Sequence, residues 1–370
     1  MRVFFYVQHL LGIGHLKRAA TLRHALRAQG FQVILASGGP PVAGIPADVQ
    51  LPALSAGDLG FRTLVDEGGR SVDDAWKRRR AAALIDAWRA SRAEVLIVEL
   101  FPFGRRQMRF ELVPLLEDAR RLAPRPLVVC SVRDLLQSKP GREQEALALA
   151  ERYFDRILVH GDPRVAPFEL TFPPAARLAG RLHYTGYVVD EPAPAPDSAR
   201  AEVLVSAGGG AVGRRLLQTA MQARGRTLLR GAAWRVLAGV HCSDADFRLL
   251  ERDAVGGIVL ERSRADFAAL LANCALSISQ AGYNTVAETL KARARAVLVP
   301  FAGGAESEQT LRARLLAQRG AVEVVEESAL SAETLAIAVD RAVRRDPPPG
   351  DLVDLDGARR TAELLKQWLS

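Results

Sequence analysis

The chain is 370 residues long, with 49% apolar and 25% charged side chains. That length exceeds one ordinary hydrophobic core and suits two α/β domains of about 150 to 200 residues each, while the composition excludes a disordered chain. A net charge of +8 is compatible with acidic ligands or an anionic surface, but arginine outweighs lysine everywhere and aromatics are few, which argues against nucleic-acid binding through a stacking platform.

Cys130, Cys242 and Cys274 are far apart and odd in number, a pattern of reduced core thiols and not of disulfides or a zinc site. No apolar run reaches the roughly 18 residues of a spanning helix, and MRVFFYVQHL lacks the features of a secretory signal. A cytoplasmic protein is the expectation.

In chain order, RVFFYV reads as a buried strand and LKRAATLRHALRAQG as a helix, with Leu16, Ala19, Ala20, Leu22, Ala25 and Leu26 on one side. Gly30 closes that helix and FQVILAS is the next strand, completing a βαβ unit. Residues 43–80 read as loops and a charged helix. Beyond them come a helix (AALIDAWRAS), a strand (AEVLIVEL), a helix (FELVPLLEDARRL), a strand (PLVVCSV) and another strand (RILVHG). Such alternation specifies a parallel sheet covered on both faces. Prolines 192, 194 and 196 mark an extended linker over 184–197. The alternation then restarts at AEVLVSAGGG and runs to a helix capped by Ser331, and DPPPG precedes a last amphipathic helix, GARRTAELLKQWL. The expected architecture is two Rossmann-like domains with parallel sheets facing a central cleft: 1–183, the linker, 198–350, and a terminal helix in 351–370.

Three strand-to-helix turns carry candidate chemistry. In the first, Gly12 and Gly14 precede His15 at the carboxyl end of the first strand, where open α/β sheets place ligands. The glycines permit a tight turn and close approach, and the helix N-terminus favours an anion. No third glycine completes a dinucleotide fingerprint, which disfavours NAD. A helix N-terminus disfavours imidazolium, so His15 is either a neutral general base or a residue that bonds the loop. In the second turn, Ser206, Gly208, Gly209 and Gly210 suit a backbone that wraps a phosphate or acts as a hinge. The third turn spans Gly282, Asn284 and Thr285, with Glu288 one helical turn inside, near enough for ribose hydroxyls. After the next strand, Glu308 and Gln309 start a helix and could accept bonds from sugar hydroxyls, unless they only cap it.

Glu99 ends a strand and is a second base candidate; Arg105, Arg106 and Arg133 follow strand ends and fit an acidic or phosphorylated acceptor, with surface ion pairing as the alternative. The DxD-like string SDADF resembles a metal-binding motif, but Ser243 and Asp244 suit helix capping. AWKRRRAAALIDAW could rest on an anionic bilayer, though a solvated helix face accounts for it.

SQAGYNTVAETL, AVLVPF and ESEQ, with SAGGGAVGRRLL before them and GIGH at the start, together resemble the GT-B glycosyltransferases related to MurG. The resemblance implies a nucleotide-sugar donor, UDP-linked by default, held by the second domain without a metal, and no further cofactor. It implies that Gly208 to Gly210 and Thr285 contact the diphosphate, Glu288 the ribose, and Glu308 with Gln309 the donor sugar. His15 would face the reacting carbon, and the terminal helix would cross back onto the first domain. The acceptor-domain segments ELFPFGRRQMRFEL and VVCSVRDLL do not match MurG, so the expectation is a separate MurG-like branch whose acceptor is not MurG's own lipid. The acceptor is unidentified, with an acidic or lipid-linked molecule and peripheral membrane contact as the expectation. GIGHLKRA is also similar to the loop of the nucleotide-sugar hydrolase of pseudaminic acid synthesis, which makes hydrolysis the runner-up. A sugar-nucleotide-binding protein without catalysis is the third reading.

Overall fold

The computed structural model describes residues 1–58, 63–137, 141–191, 202–208, 213–239, 242–303 and 307–370. The chain divides into two compact units, the first comprising Met1–Val188 with Asp356–Ser370, and the second Val189–Leu355.

The first unit runs β1 (Arg2–Val7), α1 (Gly14–Ala28), β2 (Gln32–Ser37), β3 (Val49–Gln50), a small antiparallel pair β4 (Ser55–Ala56) and β5 (Leu64–Val65), α2 (Asp74–Ser91), β6 (Val95–Glu99), α3 (Arg109–Arg121), β7 (Leu127–Arg133), α4 (Glu143–Tyr153), β8 (Arg156–His160) and β9 (Leu182–Tyr184). Its main sheet has the order β3-β2-β1-β6-β7-β8-β9, and its strands pair in parallel. The strands are nearly continuous apolar runs because both faces are covered. One face packs Phe4, Leu96 and Val128 under α2 and α3, with Phe4 edge-on to Trp88 at 5.7 Å. The other packs Phe5, Ile97 and Val129 with Leu16, Ala19, Leu22 and Leu26 of α1. Of the six residues expected to line α1, Ala20 and Ala25 are only half-buried.

The second unit runs β10 (Val203–Ser206), α5 (Arg214–Ala223), β11 (Trp234–Ala238), α6 (Asp244–Asp253), β12 (Ile258–Arg262), α7 (Phe267–Asn273), β13 (Leu276–Ser279), α8 (Tyr283–Lys291), β14 (Ala296–Leu298), α9 (Glu308–Gln318), β15 (Glu323–Val324) and α10 (Ala332–Arg344). Its sheet is β12-β11-β10-β13-β14-β15, parallel throughout. Helix α11 (Gly357–Leu369) then belongs to the first unit again. It buries Ala362 and Leu365 in the same cluster as Leu16 and Leu22. Gly357 donates its N–H to the Tyr187 carbonyl at 3.0 Å, and a Cβ there would fall 2.4 Å from the Gly186 oxygen, so only glycine permits this approach.

The start of the linker lies later than the sequence suggests. Leu182–Tyr184 pairs with β8 as the edge strand, and Tyr187 and Val188 are buried in the first unit. The apolar alternation there is too short to stand out from the prolines behind it. Residues 192–201, which hold the prolines, lie outside the described residues.

Candidate active site

Each sheet has a point where strand order reverses. In the first unit β1 leads to β2 on one side while its other neighbour, β6, leads away to β7. Such a reversal opens a crevice at the carboxyl ends of the two strands. Tyr6 lies opposite Val98, so the two strands end side by side. From one end come Gly12 in the turn and Gly14 and His15, the first two residues of α1; from the other comes Glu99, the last residue of β6.

His15 and Glu99 meet across this point. His15 Nδ1 lies 2.7 Å from Glu99 Oε1. Arg18 Nη2 bonds the same Glu99 oxygen and sits 3.5 Å from His15 Nδ1. The side chains of Arg18 and Glu99 are 2% and 1% exposed, while that of His15 keeps 15%. His15 Nε2 has no bonding partner among the described residues. Burial pulls the imidazole down to about 3, against the pull of Glu99 and with help from Arg105 and Arg133. Burial alone would raise Glu99, but His15, Arg18 and Arg105 hold it down at about 2. The result is a neutral ring whose proton lies on Nδ1, toward a carboxylate, and whose Nε2 can accept another. Burial, absent from the sequence argument from the helix N-terminus, is the leading cause of the neutral state, and the arginines add to it.

Two buried polar networks hold this arrangement from behind. Arg80 is fully buried; its Nε reaches Glu111 Oε2 at 2.7 Å and its Nη2 reaches Gln8 Oε1 at 2.6 Å. Tyr6 adds its hydroxyl to Glu111 at 2.5 Å, and the Gln8 carbonyl accepts from Arg105 Nε at 2.9 Å. Thus the residues that lead into the first glycine turn are tied to α2 and α3. On the other side His160 joins Ser131 Oγ at 2.8 Å and Thr185 Oγ1 at 2.9 Å, and Tyr187 donates to Asp134 at 2.9 Å. Neither network was foreseen, because the partners are distant in sequence; Arg18 had a signal, being one helical turn from His15 in GIGHLKR.

The second unit has the same reversal between β10 and β13. The helices after these strands, α5 and α8, start at Gly213 and Gly282 with no side-chain cap and no acidic residue in the first turn. By contrast, α6 and α10 are capped by Ser243 and Ser331. The other two helices of this unit, α7 and α9, also lack a side-chain cap; what sets α5 and α8 apart is that each starts from glycine at the carboxyl end of one of the two reversing strands, where a helix N-terminus favours an anion. Gly208 takes φ 68° and donates to Ser206 Oγ at 3.1 Å. Gly213 has φ 149°, and a Cβ there would meet Ala207 Cβ at 2.3 Å.

Of the expected residues, the structure brings together His15 and Glu99, with Arg105 and Arg133 within electrostatic reach. Arg106 departs from this group: it is exposed and pairs with Glu145 of α4 at 3.3 Å. Gly12 and Gly14 are not forced by left-handed backbone, and open space surrounds the Cβ position of Gly12. In the second unit Asn284, Thr285 and Glu288 lie half-buried on the first turns of α8. Glu308 is 3% exposed. The Gln309 amide oxygen accepts from the N–H groups of Ala281 at 3.1 Å and Phe301 at 3.2 Å, so it braces the two loops of this crevice. Gly209 and Gly210 lie outside the described residues. The aspartates of SDADF serve as cap and ion-pair partners: Asp246 bonds Ser243 and Arg214, and Asp244 bonds Arg262. In the basic run of α2, Arg80 is interior, while Arg78 and Arg79 are exposed.

Residues 263–348 match the glycosyltransferase family 28 C-terminal domain. A UDP-N-acetylglucosamine–N-acetylmuramyl-(pentapeptide) pyrophosphoryl-undecaprenol N-acetylglucosamine transferase of Phenylobacterium zucineum is 26% identical over 96% of this chain and 95% of its own length. Among solved structures, MurG of Acinetobacter baumannii superposes with a TM-score of 0.58 at 17% identity, over 99% of this chain and 100% of that one. A spinosyn rhamnosyltransferase complexed with thymidine diphosphate gives 0.66 at 17% identity, over 100% of both chains.

Proposed function

We propose that this chain, a MurG-like glycosyltransferase of the GT-B fold, moves the sugar of a nucleoside-diphosphate sugar onto an acceptor hydroxyl by direct displacement, with inversion and without a metal. The observation that carries the reading is the His15–Glu99 pair at the first unit's strand reversal, 2.7 Å apart, with Nε2 left to receive a proton.

In this reading Nε2 of His15 takes the hydroxyl proton as the acceptor oxygen bonds the anomeric carbon. The bond from that carbon to the diphosphate breaks, and its electron pair leaves on the diphosphate oxygen. Glu99 orients the ring and stabilises the imidazolium; buried behind His15, it does not itself meet the acceptor. The second unit holds the donor. Its uncapped α5 and α8, with Ser206 and Gly208, receive the diphosphate, whose charge grows in the transition state. Thr285 and Asn284 add contacts to the phosphates, Glu288 binds the ribose, and Glu308 bears on the sugar with Gln309 shaping the loop around it.

Uridine diphosphate is the nucleotide we assign, following the name of the Phenylobacterium relative. The acceptor is acidic: Arg105 and Arg133 supply positive charge beside the base, and that relative's name specifies a pyrophosphoryl-undecaprenol acceptor. A lipid-linked acceptor would bring the chain to the inner face of a membrane, where exposed Arg78 and Arg79 would meet anionic headgroups. Among the described residues no helix is long and apolar enough to cross one.

The test is calorimetry with a panel of nucleotide-sugars, followed by measurement of nucleoside diphosphate release with and without a pyrophosphoryl-polyprenol acceptor. Binding of a UDP-sugar and release stimulated by the acceptor support the reading. Equal release of free sugar without any acceptor replaces transfer by hydrolysis, and no uptake of any activated sugar removes both.

A further inference from the structure

We propose that Arg18 is a positioning residue for the reaction: it keeps Glu99 an anion, and through Glu99 it keeps the ring proton of His15 on Nδ1, so that Nε2 is the nitrogen that acts. The inference rests on the reading of His15 as the base.

Three observations carry it. Arg18 follows His15 by three residues on α1, so one helical turn brings the two side chains to the same side. Its Nη2 bonds Glu99 Oε1, the oxygen that meets His15 Nδ1, and lies 3.5 Å from that nitrogen. Both Arg18 and Glu99 are removed from solvent, at 2% and 1% exposure. A carboxyl group so buried beside a neutral ring would favour its protonated form. A protonated Glu99 would donate its O–H to Nδ1, the ring proton would move to Nε2, and the base would be turned off. A guanidinium remains charged at any working pH, and one placed on the shared oxygen prevents that state.

The same charge acts on His15 directly. The charged and titratable groups around the ring are Glu99 from β6, Arg18 from α1, Arg105 after β6 and Arg133 from β7, with the buried His160 of β8 beyond them. One carboxylate thus faces several guanidiniums. Removing Arg18 leaves Glu99 to His15 and takes a cation away, so imidazolium becomes easier to form.

The 370-residue chain labelled with ¹⁵N-histidine, free of ligand, reports this in long-range ¹H–¹⁵N spectra, with His15 assigned from a His15→Gln variant. Wild type is expected to show the Nδ1–H tautomer and no His15 titration down to about pH 5. In Arg18→Met a His15 titration should appear above pH 5, a rise of about two pH units or more, and Arg18→Lys should restore wild-type behaviour. A wild-type ring protonated on Nε2 overturns the proposal, as does an Arg18→Met chain that keeps the wild-type tautomer and shows no His15 titration above pH 5. If Arg18→Met does not fold, Arg18→Gln and the wild-type tautomer carry the same decision. Failure of the base reading is separate: nucleoside diphosphate release that survives His15→Ala removes that reading whatever the spectra show.

Discussion

The two units wind their sheets alike and furnish the reversal differently. Between β1 and β6 the first unit sets an imidazole, a carboxylate and arginines, with further buried ions behind them. Between β10 and β13 the second unit sets glycine, uncapped helix ends and half-buried polar side chains. Topology supplies the place; the residues supply the chemistry. In the proposed reading the first crevice moves a proton and the second meets an anion with main-chain N–H groups, the division of labour that a transfer between two substrates needs.

The sharpest way to break this comparison is His15→Ala. Loss of a general base typically costs 10²- to 10⁴-fold in rate, so turnover should fall by about a thousandfold, while calorimetry shows the same affinity for the donor nucleotide. A parallel loss of nucleotide binding would mean that His15 serves the anion site and that the division between units is wrong.

Next in size is the first unit's reliance on buried charge. Arg80→Met leaves Glu111 buried without its guanidinium, a change that costs about 3–5 kcal/mol. Denaturation of this variant should show the first unit unfolding earlier and the second at its former midpoint. A single shifted transition would show instead that the two units unfold as one.

Acid should separate the units in the same direction. An unfolded histidine takes a proton near 6.5, whereas folded His15 and His160 do so only near about 3. Between these values the unfolded chain binds more protons, so stability present above pH 6.5 is lost as pH falls, by up to about 1.4 kcal/mol per pH unit for each ring. Glu99 adds a lower window, since its carboxyl titrates near about 2 when folded and near 4.5 when not. The second unit has no histidine among its described residues. Calorimetric scans from pH 7 to pH 5 should therefore lower the first unit's transition and leave the second's nearly in place; equal shifts would refute the assignment of neutral buried rings. Turnover, limited only by His15 remaining neutral, should stay flat across the same range.

What could be read from the chain follows from how local the signals are. RVFFYV and GIGHLKRA declare a strand, a turn and a helix within a short span, and the βα alternation with its glycine turns declares both sheets. His15 and Glu99 were each visible as residues at strand ends. Their contact was not, because it depends on β6 lying beside β1 and not beside β2. The buried state of Arg80 was hidden for a different reason: in AWKRRRAAA it has the same charge and surroundings as Arg78 and Arg79, and only its partners on α3 and in the Gln8 side chain distinguish it. Arg106 misled in the opposite sense, since adjacency to Arg105 does not survive the left-handed backbone at Arg105, φ 56°.

The smallest expected effect tests the second unit. Glu288 lies half-buried one turn into α8, behind the uncapped N-terminus. If it accepts hydrogen bonds from the ribose, Glu288→Ala removes a charged acceptor from a neutral donor pair, a loss of about 1.5–3 kcal/mol at most, and a tenfold weaker nucleotide affinity is the expected result. The discriminating control is the nucleobase-free ligand: inorganic pyrophosphate should bind Glu288→Ala as it binds wild type, because the helix ends that receive it are untouched. Equal weakening of pyrophosphate and nucleotide would place Glu288 in the shape of the helix start and not at the sugar, and the second crevice would then be an anion site whose nucleoside contacts lie elsewhere on the same sheet edge.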